Sequence, residues 1–278
     1  MTSNKGESSL INYHFHSRCS FDAEYPLTEM CQAAKAAGIT HLCLTDHCDV
    51  VDEQGKPWDG FDWTAEDREL QAARQAFPEL EIRRGVELGQ AILRPEAADR
   101  VLAEPGIDFV LGSMHNSRSG TDFYYMKFAD KGQCLKLLEE YLESLLELAG
   151  TNWLDSLAHL TYPIRYMRAR DGVAVDFHPL DDLVHEILKK LVERGKALEL
   201  NTSGYRRNQG EPLPPEYMLR MYRELGGDLI TVGSDAHKPG QMNDGLEQGM
   251  ALLQRCGFRY VTLYQNRKPQ QMKMEEVI

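Results

Sequence analysis

The first residues in the chain that could carry out chemistry are two histidines and an aspartate. In the stretch INYHFHSRCSFDAEY, residues 11–25, one residue separates His14 from His16, and Asp22 follows six residues after His16. Alternate residues of a strand point to the same side, so the two imidazoles are expected to project together. Imidazole nitrogen and carboxylate oxygen are ligands that divalent zinc, manganese and iron accept. The stretch therefore indicates a candidate metal site.

Residues of the same types recur at the ends of later strand-like runs. The segments TDH, GVE, GSMH, LAH and GSDAH contribute seven of them: Asp46, His47, Glu87, His115, His159, Asp235 and His237. The expected metal ligands are His14, His16, Asp22, His47, Glu87, His115, His159, Asp235 and His237. At about four to five ligands per ion, this set suits two or three ions, and the lack of thiolate keeps such ions Lewis acidic.

A structural role is the alternative for each of these residues taken singly. A lone histidine at a strand end is more often hydrogen-bonded than metal-bound, which is the favoured interpretation of His159 or Asp22 in isolation. Only the joint placement of the set favours a metal centre. The other histidines, His41, His178 and His185, are expected to be structural. His41 begins a strand at the opposite rim, His185 lies in a predicted helix, and His178 lies in a loop from which it could also touch substrate.

These side chains require a fold that gathers strand ends. Short apolar and β-branched runs alternate with amphipathic windows: LINYHF, THLCLTD, LEIRRGVE, IDFVLGSM, LDSLAHL, ALELNTS, LITVGSD and RYVTLY. This alternation is typical of βα units around a parallel sheet. Seven or eight units fit one α/β barrel domain over residues 1–278 better than an open doubly wound sheet, and no G-x-G-x-x-G follows the first run. All carboxyl ends of barrel strands face one rim, where the ligands would meet.

The helices and loops between these runs have recognisable limits. One helix is predicted between Pro26 and Gly38, and another over residues 131–149, where leucines repeat at spacings of three and four. Three connections are long for βα loops and are expected to grip a substrate: residues 48–63, 115–130 and 160–179.

Composition limits the classes of partner. The chain has 278 residues, 42% of them hydrophobic, and a formal charge of −12, which disfavours an extended nucleic-acid-binding face. The N-terminal MTSNKGESSL lacks the apolar segment of a signal peptide and no window is long enough to span a membrane, so a cytoplasmic protein is expected. The six cysteines show no CxxC spacing and are expected to be free thiols, several of them in the core.

The motifs HFHSRCSFDA, TDHCD, GVELG, GSMHN, AHL and GSDAH, in this order, resemble the successive metal motifs of the PHP (polymerase and histidinol phosphatase) family. The resemblance runs from about residue 11 to 240. The chain length and the segments NTSGYRR and YPIRY resemble the histidinol-phosphate phosphatase branch more than the DNA polymerase domains.

The resemblance implies a distorted (β/α)7 barrel with three divalent metal ions, zinc, manganese or iron, at the carboxyl rim. By matching motif, a first ion would take His14, His16 and Asp235, and Glu87 would bridge it to a second ion on His115 and His159. A third ion would take Asp22, His47 and His237. Many family members have histidine where this chain has Asp22, so the chain departs from the family pattern at the third position.

The activity implied is hydrolysis of L-histidinol phosphate, a small phosphorylated substrate, by a metal-bridging hydroxide. Glu87, Asp235 and His237 would be catalytic, and the proton donor to the leaving group stays open between Asp235 and a metal-bound water. The substrate-binding residues implied are Arg165, Tyr166 and Arg206. Tyr124 and Tyr125, on the loop after the fourth strand, are expected to pack on the histidinol ring. The nearby arginines expected to be merely solvated are Arg168, Arg170 and Arg207.

Two other functions remain open. A phosphoesterase of the same family could act on another small ester or on nucleic-acid ends, and it would need a basic groove that the sequence does not show. A non-catalytic metal-binding or regulatory module is disfavoured, because no position of the ligand set is missing. The sequence leaves the oligomeric state undetermined.

Overall fold

Seven parallel strands form the centre of the protein. The computed structural model describes residues 9–206 and 210–276. Each strand is hydrogen-bonded to the next in chain order: β1 (Leu10–Asn12), β2 (Ile39–Leu44), β3 (Glu81–Gly89), β4 (Phe109–Ser113), β5 (Ser156–Leu157), β6 (Ala197–Asn201) and β7 (Ile230–Gly233). All six neighbouring pairs are parallel, as the alternation of strand-like and helical segments predicts.

Backbone hydrogen bonds join the first strand to the last. The N–H of Tyr13 donates to the carbonyl of Val232 at 2.8 Å, and the N–H of Asp235 donates to the carbonyl of His14 at 2.7 Å. Because β1 and β7 are short, these contacts lie mainly in the residues that follow them. They close the sheet, so the predicted distorted (β/α)7 barrel is confirmed, and His14 and Asp235 lie in the closing seam.

Helices cover the outside of the barrel, except for the short one that follows β6 at the carboxyl rim. They are α1 (Leu27–Ala36), α2 (Trp63–Ala76), α3 (Pro95–Leu102), α4 (Lys131–Ala149), α5 (Asp181–Arg194), α6 (Ser203–Arg206), α7 (Glu216–Glu224) and α8 (Leu246–Arg255). Both predicted helices are present. α1 follows Pro26 and ends before Gly38, whose φ of 74° stops it. The carboxylate of Asp130 caps α4 by accepting the N–H of Gln133 at 2.8 Å.

The last strand-like run is not part of the parallel sheet, contrary to the prediction that grouped it with the βα units. β8 (Tyr260–Gln265) pairs antiparallel with β9 (Lys268–Lys273). Asn266 and Arg267 connect them with φ of 50° and 60°, as in a two-residue hairpin turn. Arg267 then binds Asp155, just before β5, through two hydrogen bonds of 2.9 and 3.0 Å. The hairpin thereby covers the amino-terminal ends of the strands.

The cysteines and helices agree with the compositional expectations. All six cysteines are free thiols, and all except Cys19 are buried. Among the helices of the described ranges, none has the length and apolar character needed to cross a bilayer.

Candidate metal centre

Glu87 is the hub of a cluster of histidines at the carboxyl end of the barrel. It lies within β3, which runs two residues beyond the predicted strand end, and its side chain is 1% exposed. Its two carboxylate oxygens face different partners. Oε2 lies 3.2 Å from His14 Nε2, whereas Oε1 lies 3.0 Å from His115 Nε2 and 2.9 Å from His159 Nε2. This orientation is what a carboxylate bridging two ions requires.

Asp235 completes the group around His14 and His16. Their Nε2 atoms are 3.2 Å apart, and Asp235 Oδ1 lies 3.6 Å from that of His16 and 3.9 Å from that of His14. Asp235 has φ of 54°, a left-handed conformation that aspartate tolerates better than most residues. The turn lets Asp235, two residues after the end of β7, reach the pair of histidines that follows β1.

Asp22 lies at the outer edge of the cluster. Its Oδ2 is 3.0 Å from His237 Nε2, and its Oδ1 is 3.7 Å from His47 Nε2. The ring of His16 stacks against both histidines, with ring-centroid distances of 4.4 Å to His47 and 4.2 Å to His237. His47 also presents Nδ1 to Glu87 Oε2 at 3.2 Å, so its two nitrogens face different parts of the cluster. All nine predicted ligands therefore converge on one rim.

The spacing of these atoms suits divalent ions. Atoms bound at about 2.0–2.1 Å to one tetrahedral zinc lie about 3.3 Å apart. The Nε2 atoms of His14 and His16 are 3.2 Å apart, and those of His115 and His159 are 3.4 Å apart. In the described part of the chain, three sets have ligand atoms mutually within 4.8 Å: His16, His47 and His237; His14, His16 and Glu87; His47, Glu87 and His115. The cluster can hold metal ions.

The carboxylates of the cluster are held in their charged form. Burial opposes ionisation of Glu87, but His14 and the other nearby histidines keep its pKa well below the usual range. Burial likewise opposes the charge of Asp235, yet Arg165 keeps the pKa of this carboxyl well below its usual value. Two ionised carboxylates among imidazoles form the negative lining that divalent cations require.

The predicted phosphate-binding arginines both contact the Asp235 segment. Arg165 is buried, and its Nη2 donates to Asp235 Oδ2 at 2.5 Å and to Ser203 Oγ at 2.6 Å. Arg206 donates to the backbone carbonyls of Ser234 and Asp235. Arg165 Nε is buried and has no hydrogen-bond partner among residues 9–206 and 210–276. Two guanidinium groups thus lie beside the group formed by His14, His16 and Asp235.

A cavity of about 700 Å³ opens on the other side of the cluster, at His47 and His115. Tyr166 and Tyr124 both line it, as expected for residues that contact a substrate. Tyr166 is buried with its hydroxyl 2.9 Å from that of Tyr162, whereas Tyr124 is exposed. The cavity provides space for the part of a substrate that extends away from the metal cluster.

Comparison with known proteins agrees with this geometry. Residues 12–203 match the PHP domain. The chain belongs to the PHP domain family. It is 29% identical to a probable histidinol-phosphatase of Thermotoga maritima over 91% of this chain and 95% of that one. It is 26% identical to the histidinol-phosphatase of Lactococcus lactis over 93% of this chain and 95% of that one.

Solved structures show the same barrel. The crystal structure of the Lactococcus lactis histidinol phosphate phosphatase, complexed with zinc, L-histidinol and phosphate, superposes with a TM-score of 0.81 at 26% identity, covering 94% of this chain and 99% of that one. A putative histidinol phosphatase of Listeria monocytogenes has the same fold, with a TM-score of 0.75 at 16% identity over 86% of this chain and 99% of that one.

Sequence reasoning missed a carboxylate that orients two of the PHP histidines. Glu199 Oε1 lies 2.6 Å from His14 Nδ1, and Glu199 Oε2 accepts the backbone N–H of His159 at 2.7 Å. A carboxylate on the far nitrogen of a metal-binding histidine fixes the ring and its tautomer. The available signal was the acid in ALELN, because a charged residue inside a buried strand is rare unless it is paired.

Ser20 and Asp46 play a similar part for His16. Ser20 Oγ lies 3.1 Å from His16 Nδ1 and 2.8 Å from Asp46 Oδ1, and Asp46 also accepts the N–H of Ser17 at 2.6 Å. Burial raises the pKa of Asp46 to about 6 against these hydrogen bonds. TDH marked Asp46 as a polar strand end, but nothing in the sequence connected it with Ser20.

Two arginines predicted to be merely solvated are structural. Arg170 donates to the backbone carbonyls of Tyr124 and Met126, and Arg168 donates to Glu211 Oε1 at 2.9 Å. The expectation was wrong because these guanidinium groups pair with carbonyl and carboxylate oxygens of neighbouring loops. Arg207, predicted to be solvated, lies outside the described residues.

The three remaining histidines lie away from the cluster. His41 is in β2 near Glu81, His185 is in α5, and exposed His178 packs on Tyr217 with its Nδ1 3.0 Å from Asp181. None of the three lines the cavity within the described part of the chain.

Proposed function

We propose that this protein is a metal-dependent phosphomonoesterase that hydrolyses L-histidinol phosphate to L-histidinol and phosphate, a step of histidine biosynthesis. The observation that carries the proposal is the convergence of six histidines and three carboxylates beside two arginines on one barrel rim. The relatives named histidinol-phosphatase, and the zinc, L-histidinol and phosphate of the Lactococcus lactis structure, support this substrate.

The proposed centre holds three divalent ions, zinc, manganese or iron. His14, His16 and Asp235 would hold a first ion and His115 and His159 a second, with Glu87 shared between them, and Asp22, His47 and His237 would hold the third. Bound ions supply charge neutralisation and a coordinated water whose pKa falls to about 7. Hydrolysis requires charge neutralisation because a phosphate dianion repels an anionic nucleophile, and it requires the acidified water as the source of that nucleophile.

The protein's own residues bind and orient the substrate. Arg165 and Arg206 face the rim where phosphate oxygens would lie, and a guanidinium can pair with two of them. Asp235 stays ionised beside Arg165, so its charge balances that arginine until phosphate arrives. An ionised Asp235 cannot donate a proton, which favours a water molecule as the donor to the leaving alkoxide. Tyr124 and Tyr166 bound the space for the alcohol.

A phosphate-release assay tests the proposal. Protein loaded in turn with zinc, manganese and iron is given L-histidinol phosphate, a nucleotide monophosphate and single-stranded DNA. Preferential release from L-histidinol phosphate is expected, and preference for DNA ends would overturn it. His14→Ala and Glu87→Ala should abolish activity with unchanged circular dichroism, whereas His185→Ala, on exposed α5 surface near Glu186, should leave activity intact. Metal analysis of these variants should show fewer ions only in the first two.

The wider setting is also proposed. The chain acts as one barrel domain over residues 1–278 in the cytoplasm, on a small phosphorylated substrate and without nucleic-acid partners. The rival activity on nucleic-acid ends is less compatible with the cavity, since no lysine or arginine of the described residues lines it.

A further inference from the structure

The cavity beside the metal cluster has a marked negative lining. Besides Asp22, which belongs to the proposed metal centre, its carboxylates are Asp49, Asp52, Glu53 and Asp122. Within the described chain, neither lysine nor arginine lines the cavity, and none of these carboxylates pairs with either. The arginines that would bind phosphate lie instead beside Asp235, so the two ends of the site differ in charge. An anion belongs at one end and a cation at the other.

The same cavity gathers exposed aromatic rings. Four of the six large apolar side chains that are exposed in the described residues line it: Phe21, Trp58, Tyr124 and Tyr125. Single exposed apolar side chains are common on protein surfaces, but several of them grouped around one cavity indicate a binding site. Aromatic faces attract cations and stack on planar rings. This is an observation independent of the carboxylates.

One buried acceptor in the wall has no donor. Within the described residues Asp49 Oδ1 has no hydrogen-bond partner, since His47 Nδ1 is 3.8 Å away, although the side chain is only 10% exposed. Leaving a buried acceptor unpaired costs free energy that a donor-bearing ligand would recover. The wall itself is well defined, since the N–H of Asp122 donates to the carbonyl of Glu53 at 3.1 Å and joins the loops after β2 and β4.

We infer that Asp122 and Glu53 determine the specificity of this cavity, because their carboxylates would pair with the ammonium group of the alcohol while the aromatic side chains contact its ring. The inference rests on the proposed function and adds the residues that discriminate between esters. Asp122 is the first candidate because it is partly buried and its Oδ1 already accepts the N–H of Tyr124 at 2.7 Å, which holds the side chain in place.

Kinetics of the metal-loaded protein test the selectivity. The esters are L-histidinol phosphate, its N-acetyl derivative, which lacks the ammonium charge, and p-nitrophenyl phosphate. Asp122→Asn keeps the acceptor for Tyr124, and Glu53→Gln lies on an exposed loop. Each should lower kcat/KM for L-histidinol phosphate by about five- to tenfold, since a charged hydrogen bond is lost at a partly solvated site, and should leave p-nitrophenyl phosphate unaffected. Glu139→Gln, exposed on α4, is the matched control.

Binding without turnover separates this inference from the proposed function. Calorimetry should show L-histidinol binding more tightly than N-acetyl-histidinol, with the difference reduced in Asp122→Asn. If p-nitrophenyl phosphate is hydrolysed but the charged and acetylated compounds bind and react alike, the cation site is refuted and the phosphatase stands. If L-histidinol is bound selectively and no ester is hydrolysed, the cation site stands and the proposed reaction is refuted. Equal losses for all esters in both variants would also overturn the inference.

Discussion

Replacing Glu199 by glutamine tests whether the histidines are held for metal binding by a buried carboxylate. Glu199 Oε1 lies 2.6 Å from His14 Nδ1, and its Oε2 accepts the N–H of His159 at 2.7 Å, with both side chains of the first pair 1% exposed. The ring N–H of His14 and the backbone N–H of His159 therefore need two acceptors, whereas glutamine offers one oxygen and one NH2 group. No orientation of the amide satisfies both partners.

Each orientation has a different cost. If the amide nitrogen faces His14, it donates to Nδ1 and shifts the ring proton to Nε2, the atom that lies 3.2 Å from Glu87. If it faces His159 instead, two N–H groups oppose each other in a buried site. Losing a charged hydrogen bond costs about 1.5–3 kcal/mol, and loss of such supporting contacts lowers metal affinity about 10–100-fold. We therefore expect Glu199→Gln to lower the affinity for the ion held by His14 by about 10–100-fold.

The assay is metal content after dialysis against graded chelator, together with kcat at saturating metal. The matched control is Glu66→Gln, another buried acid, whose Oε2 binds Arg84 Nε at 2.8 Å away from the cluster. The control should lower the thermal midpoint without changing metal affinity. Unchanged chelator resistance and unchanged kcat in Glu199→Gln would refute the idea that this carboxylate prepares His14 as a ligand.

Three further predictions address stability, pH and the cavity wall. Arg267→Ala should lower the free energy of unfolding by about 1–2 kcal/mol and leave kcat unchanged, because its two hydrogen bonds to Asp155 are partly solvated. Denaturant unfolding measures the change in stability, and a loss of kcat without destabilisation would contradict the prediction. Burial opposes the charge of His47, yet neighbouring carboxylates raise its pKa from 6.5 to about 9. In metal-free protein its contribution to the free energy of unfolding should therefore be complete below pH 6.5 and decrease as the pH rises to about 9. Calorimetry across that pH range should therefore show added metal stabilising most at the alkaline end, and a pH-independent gain would contradict this. Gly55→Ala should raise KM several-fold with a smaller change in kcat. The φ of Gly55 is 79°, and a Cβ at this position would lie 2.7 Å from the Gly120 Cα and force apart the loops that form the cavity wall. Steady-state kinetics measures KM, and an unchanged KM would contradict the prediction.

Much of the barrel could be predicted because local patterns repeat. The apolar runs that become β1 to β7 are separated by amphipathic helices, and Pro26 and Gly38 mark the limits of α1. The final hairpin could not be predicted in the same way. Its turn depends on Arg267 adopting a positive φ, which arginine rarely does, and on an anchor at Asp155 more than a hundred residues away.

The types of the candidate ligands and their order along the chain were determined by the sequence, because metal chemistry restricts them to imidazole and carboxylate. Only the tertiary structure decided how they are divided. It turned the two oxygens of Glu87 towards different histidines and brought Glu199 onto His14 from a strand 185 residues away. It also placed carboxylates and exposed rings from separate loops around one cavity. Such placements follow from barrel closure, which joins residues with no local relation in the chain.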